Sequence, residues 1–142
     1  MNEFEVVVNT GNCPGVDDAL LERAVAHALI DAGVDGGEVS ITLLDDPGIR
    51  EMNREYLDRD RTTDVIAFSL DEEALMGDVY LGFDQATRQS TELGISLSDE
   101  LARLAIHGTL HVLGHDHPDG AERNESPMFV LQERLLAEVL AI

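Results

Sequence analysis

The chain has 142 residues, 44% of them hydrophobic, with 29 acids against 9 bases for a net charge of −20. That length and composition describe one globular domain, residues 1–142, with a real core, and they exclude a disordered chain. No apolar run approaches the roughly 20 residues that span a bilayer, so no membrane association is expected. Every base is an arginine. Taken alone, such a field repels nucleic acid and favours cations or cationic partners. It also suits solubility or a salty cytoplasm.

The opening MNEFEVVVNT has no basic stretch and reads as a strand, not a secretory signal. Glu3 to Val8 is the first expected strand. Cys13 is the only cysteine and reads as a reduced, incidental thiol, so a cytoplasmic location is expected. Val16 to Ala32 is an amphipathic helix, with Leu20, Leu21, Val25, Ala28 and Leu29 at helical spacing. His27 sits in it as an ordinary helix residue. Glu38 to Leu44 alternates and predicts a second strand. Asp46-Pro47 opens a helix to about Tyr56, since proline is tolerated in a first turn. Asp64 to Leu70 and Gly77 to Phe83 predict a hairpin across an acidic turn. Asp84 to Leu93 reads as a helix stopped by Gly94. Ser98 is the expected N-cap of a fourth helix ending near Leu113, with Asp99 and Glu100 in its first turn. Ser126-Pro127 starts a last helix reaching Leu140. The order β-α-β-α-β-β-α-α-α implies an α+β domain: a small mixed sheet of about four strands with helices packed on it.

Residues 107 to 117 read HGTLHVLGHDH, four of the five histidines in eleven residues. His107 and His111 are four apart, which places both on one helix face within reach of one metal ion. His115 continues the series, but on an unbroken helix it would lie about 12 Å along the axis from His107. Metal–nitrogen bonds of about 2 Å cannot span that. The chain must turn, and Gly114 supplies the left-handed residue that ends helices. His117 is then the better third ligand, with Pro118 stiffening the exit. His115 is a flanking residue. Asp116 is either a carboxylate that orients a ligand imidazole from behind or a solvated turn residue.

This is the metzincin spacing H-E-x-x-H-x-x-G-x-x-H with Gly108 in place of the glutamate. Three imidazoles and an open fourth position suit catalytic zinc, one ion per chain, with nickel or iron as competitors. A zinc-bound water is the expected nucleophile. Peptide hydrolysis by the zincin route wants a base beside that water, and Gly108 cannot be one. Phosphodiester cleavage asks mainly for charge stabilisation and an oriented nucleophile, so the chemistry tilts toward a phosphoesterase.

The segment resembles the H-G-x-L-H-L-x-G-Y-D-H motif of the YbeY-type rRNA maturation factors, a family of bacterial metallo-endoribonucleases. MNREYLDRDRTTDVIAF (Met52 to Phe68) is similar to that family's Asn-x-x-aromatic-Arg…Thr-Asp-Val block. MGDVYLGFD (Met76 to Asp84) and MFVLQERLL (Met128 to Leu136) are similar to its Leu-Gly-Asp-Ile strand and its closing helix. The resemblance spans roughly residues 40 to 140. It implies a zincin-like α+β metallohydrolase fold. It also implies a zinc-dependent, single-strand-specific endoribonuclease acting in 16S rRNA 3′-end maturation and ribosome quality control. The family's zinc ligands fall on His107, His111 and His117. The implied partners are ribosomal RNA and the small ribosomal subunit, with ribosomal or GTPase proteins beside them.

Some positions depart from the family pattern. The arginine after the block's aromatic is Leu57 here, the tyrosine before Asp-His is His115, and the serine before Phe68 is Ala67. Arg59 is the nearest candidate for the missing catalytic arginine, with Arg61 beside it. RNA binding in so acidic a chain would need a local groove lined by arginines, from Arg54, Arg59, Arg61 and Arg103, or a partner that supplies positive surface. Two alternatives remain: a non-catalytic ribosome-assembly factor in which zinc holds the last helices, and a zincin-type peptidase.

Overall fold

Val39, Ile41 and Leu43 are buried and alternate with half-buried residues along β2 (Gly36–Leu44), the period that turns one face of a strand to a core. The same alternation runs through β4 (Met76–Gly82), where Val79 and Leu81 are buried. These two strands form the centre of a four-stranded sheet of order β1-β2-β4-β3, completed by β1 (Glu3–Asn9) and β3 (Val65–Asp71). β1, β2 and β4 are mutually parallel and β3 runs antiparallel to β4, so the sheet is mixed, as the sequence implies. The computed structural model describes residues 3–71, 74–116 and 126–141.

Five helices complete the domain: α1 (Asp18–Asp31), α2 (Asp46–Leu57), α3 (Phe83–Leu93), α4 (Leu97–Val112) and α5 (Pro127–Leu140). Helix α1 divides its apolar residues between two cores. Leu21, Val25 and Leu29 join the sheet residues, while Leu20, Ala24 and Ala28 join α5. Helix α4 lies between these cores and is buried in 11 of its 16 residues, as expected of a helix covered on nearly every side. Leu101, Leu104 and Ala105 meet the sheet, while Ala102, Ile106 and Leu110 meet Met128, Leu135, Leu136 and Val139 of α5. His27, read from the sequence as an ordinary helix residue, bridges α1 to α5 through Nε2, 3.0 Å from Glu138 Oε1. The His27 bond, with Arg134 beyond it, holds the Glu138 carboxyl below its ordinary range.

The predicted elements are all present, with ends shifted by one or two residues. One cap needs correction. The N-cap of α4 is Ser96, not Ser98: Ser96 is extended (φ −71°, ψ 152°) and its hydroxyl accepts from the Asp99 N–H at 3.0 Å. Ser98 already lies inside the first turn, where its backbone is helical and cannot serve as a cap. No helix of the described residues is long and apolar enough to cross a membrane.

Two glycines set how closely α4 approaches the sheet. A β-carbon on Gly108 would fall well inside van der Waals contact with Val79 Cγ1 and only 3.2 Å from Val65 Cγ2. A β-carbon on Gly77, in β4, would collide with the Val112 side chain of α4. Gly108→Ala is therefore expected to lower unfolding stability by about 1–3 kcal/mol through overpacking, read as a fall in the urea midpoint at unchanged m-value. An alanine variant as stable as the parent would show that α4 can move off the sheet without cost.

Candidate metal centre

The site begins with the end of α4. Gly114 takes φ +99°, and the chain closes with Gly114 N–H to the His111 carbonyl at 3.0 Å and His115 N–H to the Leu110 carbonyl at 2.9 Å. This pair of bonds is the Schellman motif, which needs a residue with positive φ just past the helix. The expectation that the chain turns at Gly114 therefore holds. His115 is carried out to an exposed position off the face shared by His107 and His111. It still acts on the site through its backbone: its carbonyl lies 3.0 Å from His111 Nδ1. Asp116 is exposed beside it. His117 and Pro118 lie outside the described residues.

His107 is 5% exposed, and His111 is half-buried one turn later. Their rings cross at 81° with centroids 4.7 Å apart, and the two Nε2 atoms are 3.1 Å apart. The outer face of each ring fixes its tautomer. A carbonyl oxygen only accepts, so His111 Nδ1 carries a proton toward His115. His107 Nδ1 lies 2.6 Å from Gln132 Oε1, and Gln132 Nε2 donates to Glu133 Oε2 at 3.1 Å. A carboxylate accepts only, so the Gln132 amide oxygen faces His107 and its Nδ1 is the protonated nitrogen. Both Nε2 atoms then present lone pairs to each other. Such an arrangement is repulsive unless a proton or a metal ion stands between them. Two nitrogens about 2 Å from one tetrahedral ion would lie about 3.3 Å apart, close to the spacing observed. His107 and His111 therefore fit a metal ion. Among the described residues no cluster of three or more His, Cys, Asp or Glu converges to hold one; His117, the third ligand that the spacing suggests, lies outside them.

Gln132 was not singled out by the sequence; it belongs to the last helix, 25 residues from His107. Behind it runs a continuous polar network. Arg103 Nε donates to Glu133 Oε2 at 3.0 Å and its Nη1 to Glu100 Oε1 at 2.8 Å. Gln89 of α3 donates to the other Glu100 oxygen at 2.8 Å. Gln85 donates to Gln89 at 3.2 Å, and Arg88 donates to Gln85 at 2.7 Å while gripping Asp46 with both nitrogens. Every link has a fixed direction, because arginine only donates and carboxylate only accepts. Burial works against the Arg103 charge, but its bonds to Glu133 and Glu100 outweigh that and hold its pKa above the ordinary arginine value. Arg88 holds the Asp46 carboxyl below its usual range.

The four candidate arginines do not share one groove in the described contacts. Arg103 lines a cavity of about 390 Å³ with His107 and Asp64, though two carboxylates already engage it. Arg54 pairs with Glu51 and lines a separate cleft with Arg50 and Thr62. Arg59 and Arg61 are exposed on the loop after α2. Asn53, 2% exposed, anchors that loop: its Nδ2 donates to the Arg61 carbonyl at 3.0 Å, and its own carbonyl accepts from Arg59 N–H at 3.2 Å. The loop ends at Asp64, on the same cavity as His107. Leu57 is 44% exposed. Cys13 has its thiol pKa pushed up by burial and by Asp84 and Asp45, which disfavours thiolate chemistry.

Comparison with known proteins gives this arrangement its family. The family profile described as Endoribonuclease YbeY matches residues 10–140. The chain belongs to the YbeY family. A YbeY-named endoribonuclease from Moorella thermoacetica is 41% identical over 133 residues, covering 84% of each chain. One from Persephonella marina is 37% identical over 125 residues, covering 84% of this chain and 81% of that one. The solution structure of TM1509 from Thermotoga maritima superposes with a TM-score of 0.68 at 27% identity, over 96% of this chain and 89% of that one. The sequence resemblance and the α+β architecture expected from it are thereby borne out.

Gln132 holds the buried His107 imidazole with Nδ1 protonated, which leaves Nε2 as the nitrogen able to bind a metal. If His107 binds a metal, Gln132→Leu is expected to weaken that binding about 10- to 100-fold, measured by competition with a chromogenic chelator. Equal affinity in the variant would show that His107 is oriented without the amide.

Proposed function

We propose that this protein is a metal-dependent endoribonuclease that cuts single-stranded RNA, with zinc held by His107, His111 and His117. The observation that carries the reading is the pair of imidazoles whose Nε2 lone pairs converge at 3.1 Å, each locked into that tautomer from behind, in a chain of the YbeY family. When bound, a zinc ion supplies Lewis acidity, acidifying water and offsetting charge on a reacting phosphodiester.

The chain's own residues decide what else is possible. His115 O and Gln132 Oε1 keep the two rings from rotating, so no reorganisation is needed at the site. Gly108 points at Val79 and Val65, so the position that carries a peptidase's base in the metzincin spacing is filled by the sheet. This argues against the peptidase alternative. Arg59 and Arg61, exposed on the loop that leads to Asp64, are the cations we assign to RNA phosphates; among the described residues neither has a carboxylate within salt-bridge distance. Arg59 is the better substitute for the arginine that Leu57 replaces. The biological reading is 16S rRNA 3′-end maturation and ribosome quality control in the cytoplasm. The small subunit, with ribosomal or GTPase proteins, brings an acidic chain to its RNA.

The exposed Leu57 and the charge of −20 favour one second reading, a ribosome-assembly factor without turnover. Cleavage of a single-stranded RNA by zinc-loaded protein decides between them, with His111→Ala prepared in parallel. The wild type is expected to cut, chelator to stop it, and the variant to lose at least about 100-fold in rate. Equal cutting by both proteins, or none by metal-loaded wild type, would move the assignment to the assembly factor. Arg59→Ala is expected to weaken RNA binding and flatten its dependence on salt.

A further inference from the structure

The cavity beside His107 has a composition that the metal site does not explain. Its floor is apolar, with Leu104 and Met128 at 4% and 2% exposure. Its rim carries Leu93, which is 58% exposed, and the half-buried ring of Phe129. Apolar surface at the mouth of a cavity in so acidic a protein is suited to a flat, apolar-faced ligand. The polar wall is anionic: Asp64, Glu100 and Glu133 stand against Arg103. A phosphate would be repelled there, whereas a group rich in N–H donors would be attracted.

The wall also shows which atom would meet a ligand. Both Glu100 oxygens are engaged, by Arg103 and Gln89. Glu133 Oε2 accepts twice, from Arg103 and Gln132. Glu133 Oε1 has no hydrogen-bond partner among the described residues, and the side chain is 35% exposed. An aromatic face with an exocyclic amine at its edge matches both features. Single-stranded RNA is read in this way, by stacking on aromatic and apolar side chains and by hydrogen bonds to the base edge.

We propose that this cavity is a base-selective subsite for the nucleotide next to the phosphodiester held at the histidines, taking adenine, cytosine or guanine and rejecting uracil. The proposal rests on the ribonuclease reading for its substrate. Glu133 Oε1 accepts from the exocyclic amine, and the base lies between Phe129 and Leu93. Uracil has no exocyclic amine and would set a carbonyl against the carboxylate. A volume of about 390 Å³ is within the range of small-ligand pockets.

The test is binding without cleavage. In the His111→Ala background, fluorescence anisotropy at fixed low salt compares labelled rA6, rC6 and rU6. The amino-bearing hexamers are expected to bind at least about fivefold tighter than rU6. Glu133→Gln, tested in the same background, should abolish or invert the preference, because Arg103 and Gln132 donate to the amide oxygen and so turn the amide nitrogen, a donor, to the base. Leu93→Ala is a surface change that spares the Arg103 network, and it should weaken rA6 and rC6 together. Three hexamers that bind alike, or a ratio that survives Glu133→Gln in a protein that still melts cooperatively, would overturn the subsite. If Glu133→Gln fails to fold, unchanged rA6 and rC6 affinities in Leu93→Ala would do the same. The two readings fail separately: zinc-loaded wild type that cuts RNA without a base preference keeps the nuclease and removes the subsite. A preference in protein that never cuts keeps the subsite and removes the nuclease.

Discussion

The close seating of α4 on the sheet is the constraint from which the rest follows. Gly108 and Gly77 remove the two side chains that would hold the layers apart, and Val79, Val65 and Val112 fill the space they leave. That contact fixes the rotation of α4 about its axis. With Gly108 turned to the sheet, its neighbour His107 faces α5 and meets Gln132, and His111 follows one turn later on the same side. The glycine that separates this motif from the metzincin signature therefore has a packing reason as well as a chemical consequence. A glutamate there would collide with the sheet before it could act as a base.

Around that helix the polar groups are arranged to hold one imidazole. The network from Arg88 through Gln85, Gln89, Glu100, Arg103 and Glu133 to Gln132 joins α3, α4 and α5, and its donors and acceptors alternate without a mismatch. Among the described residues no buried side-chain nitrogen or oxygen lacks a partner. A network of this kind is stabilising only when fully satisfied, because each orphaned group in a low dielectric is costly. It ends at His107 Nδ1, so its organisation is delivered as a fixed tautomer that leaves Nε2 with its lone pair toward His111. It also leaves the cavity wall rich in carboxylates, with Asp64, Glu100 and Glu133 beside Arg103.

Much of this was legible in the sequence. The alternation in β2 and β4, the helical spacing in α1, and the Pro-containing starts of α2 and α5 report local preferences that the tertiary structure did not override. The turn at Gly114 was legible for the same reason: only one residue there adopts positive φ without cost, and the spacing of His107, His111 and His117 requires a turn. Ser98 was misread because Ser96 and Ser98 are equally good caps by chemistry. The choice between them depends on where α4 begins against the sheet and α3.

The sequence by itself determined the element order, the α+β class, the placement of His107 and His111 on one helix face, and the family. Each is encoded by spacing or by a motif within one short segment. Only the tertiary structure decided that Gln132 and the His115 carbonyl lock the two imidazoles, that Asn53 anchors the arginine loop, and that Arg103 is committed to carboxylates. It alone showed that Gly108 is a packing residue. These are contacts between segments distant along the chain, or made by backbone atoms common to every residue, and no local pattern of side chains records them.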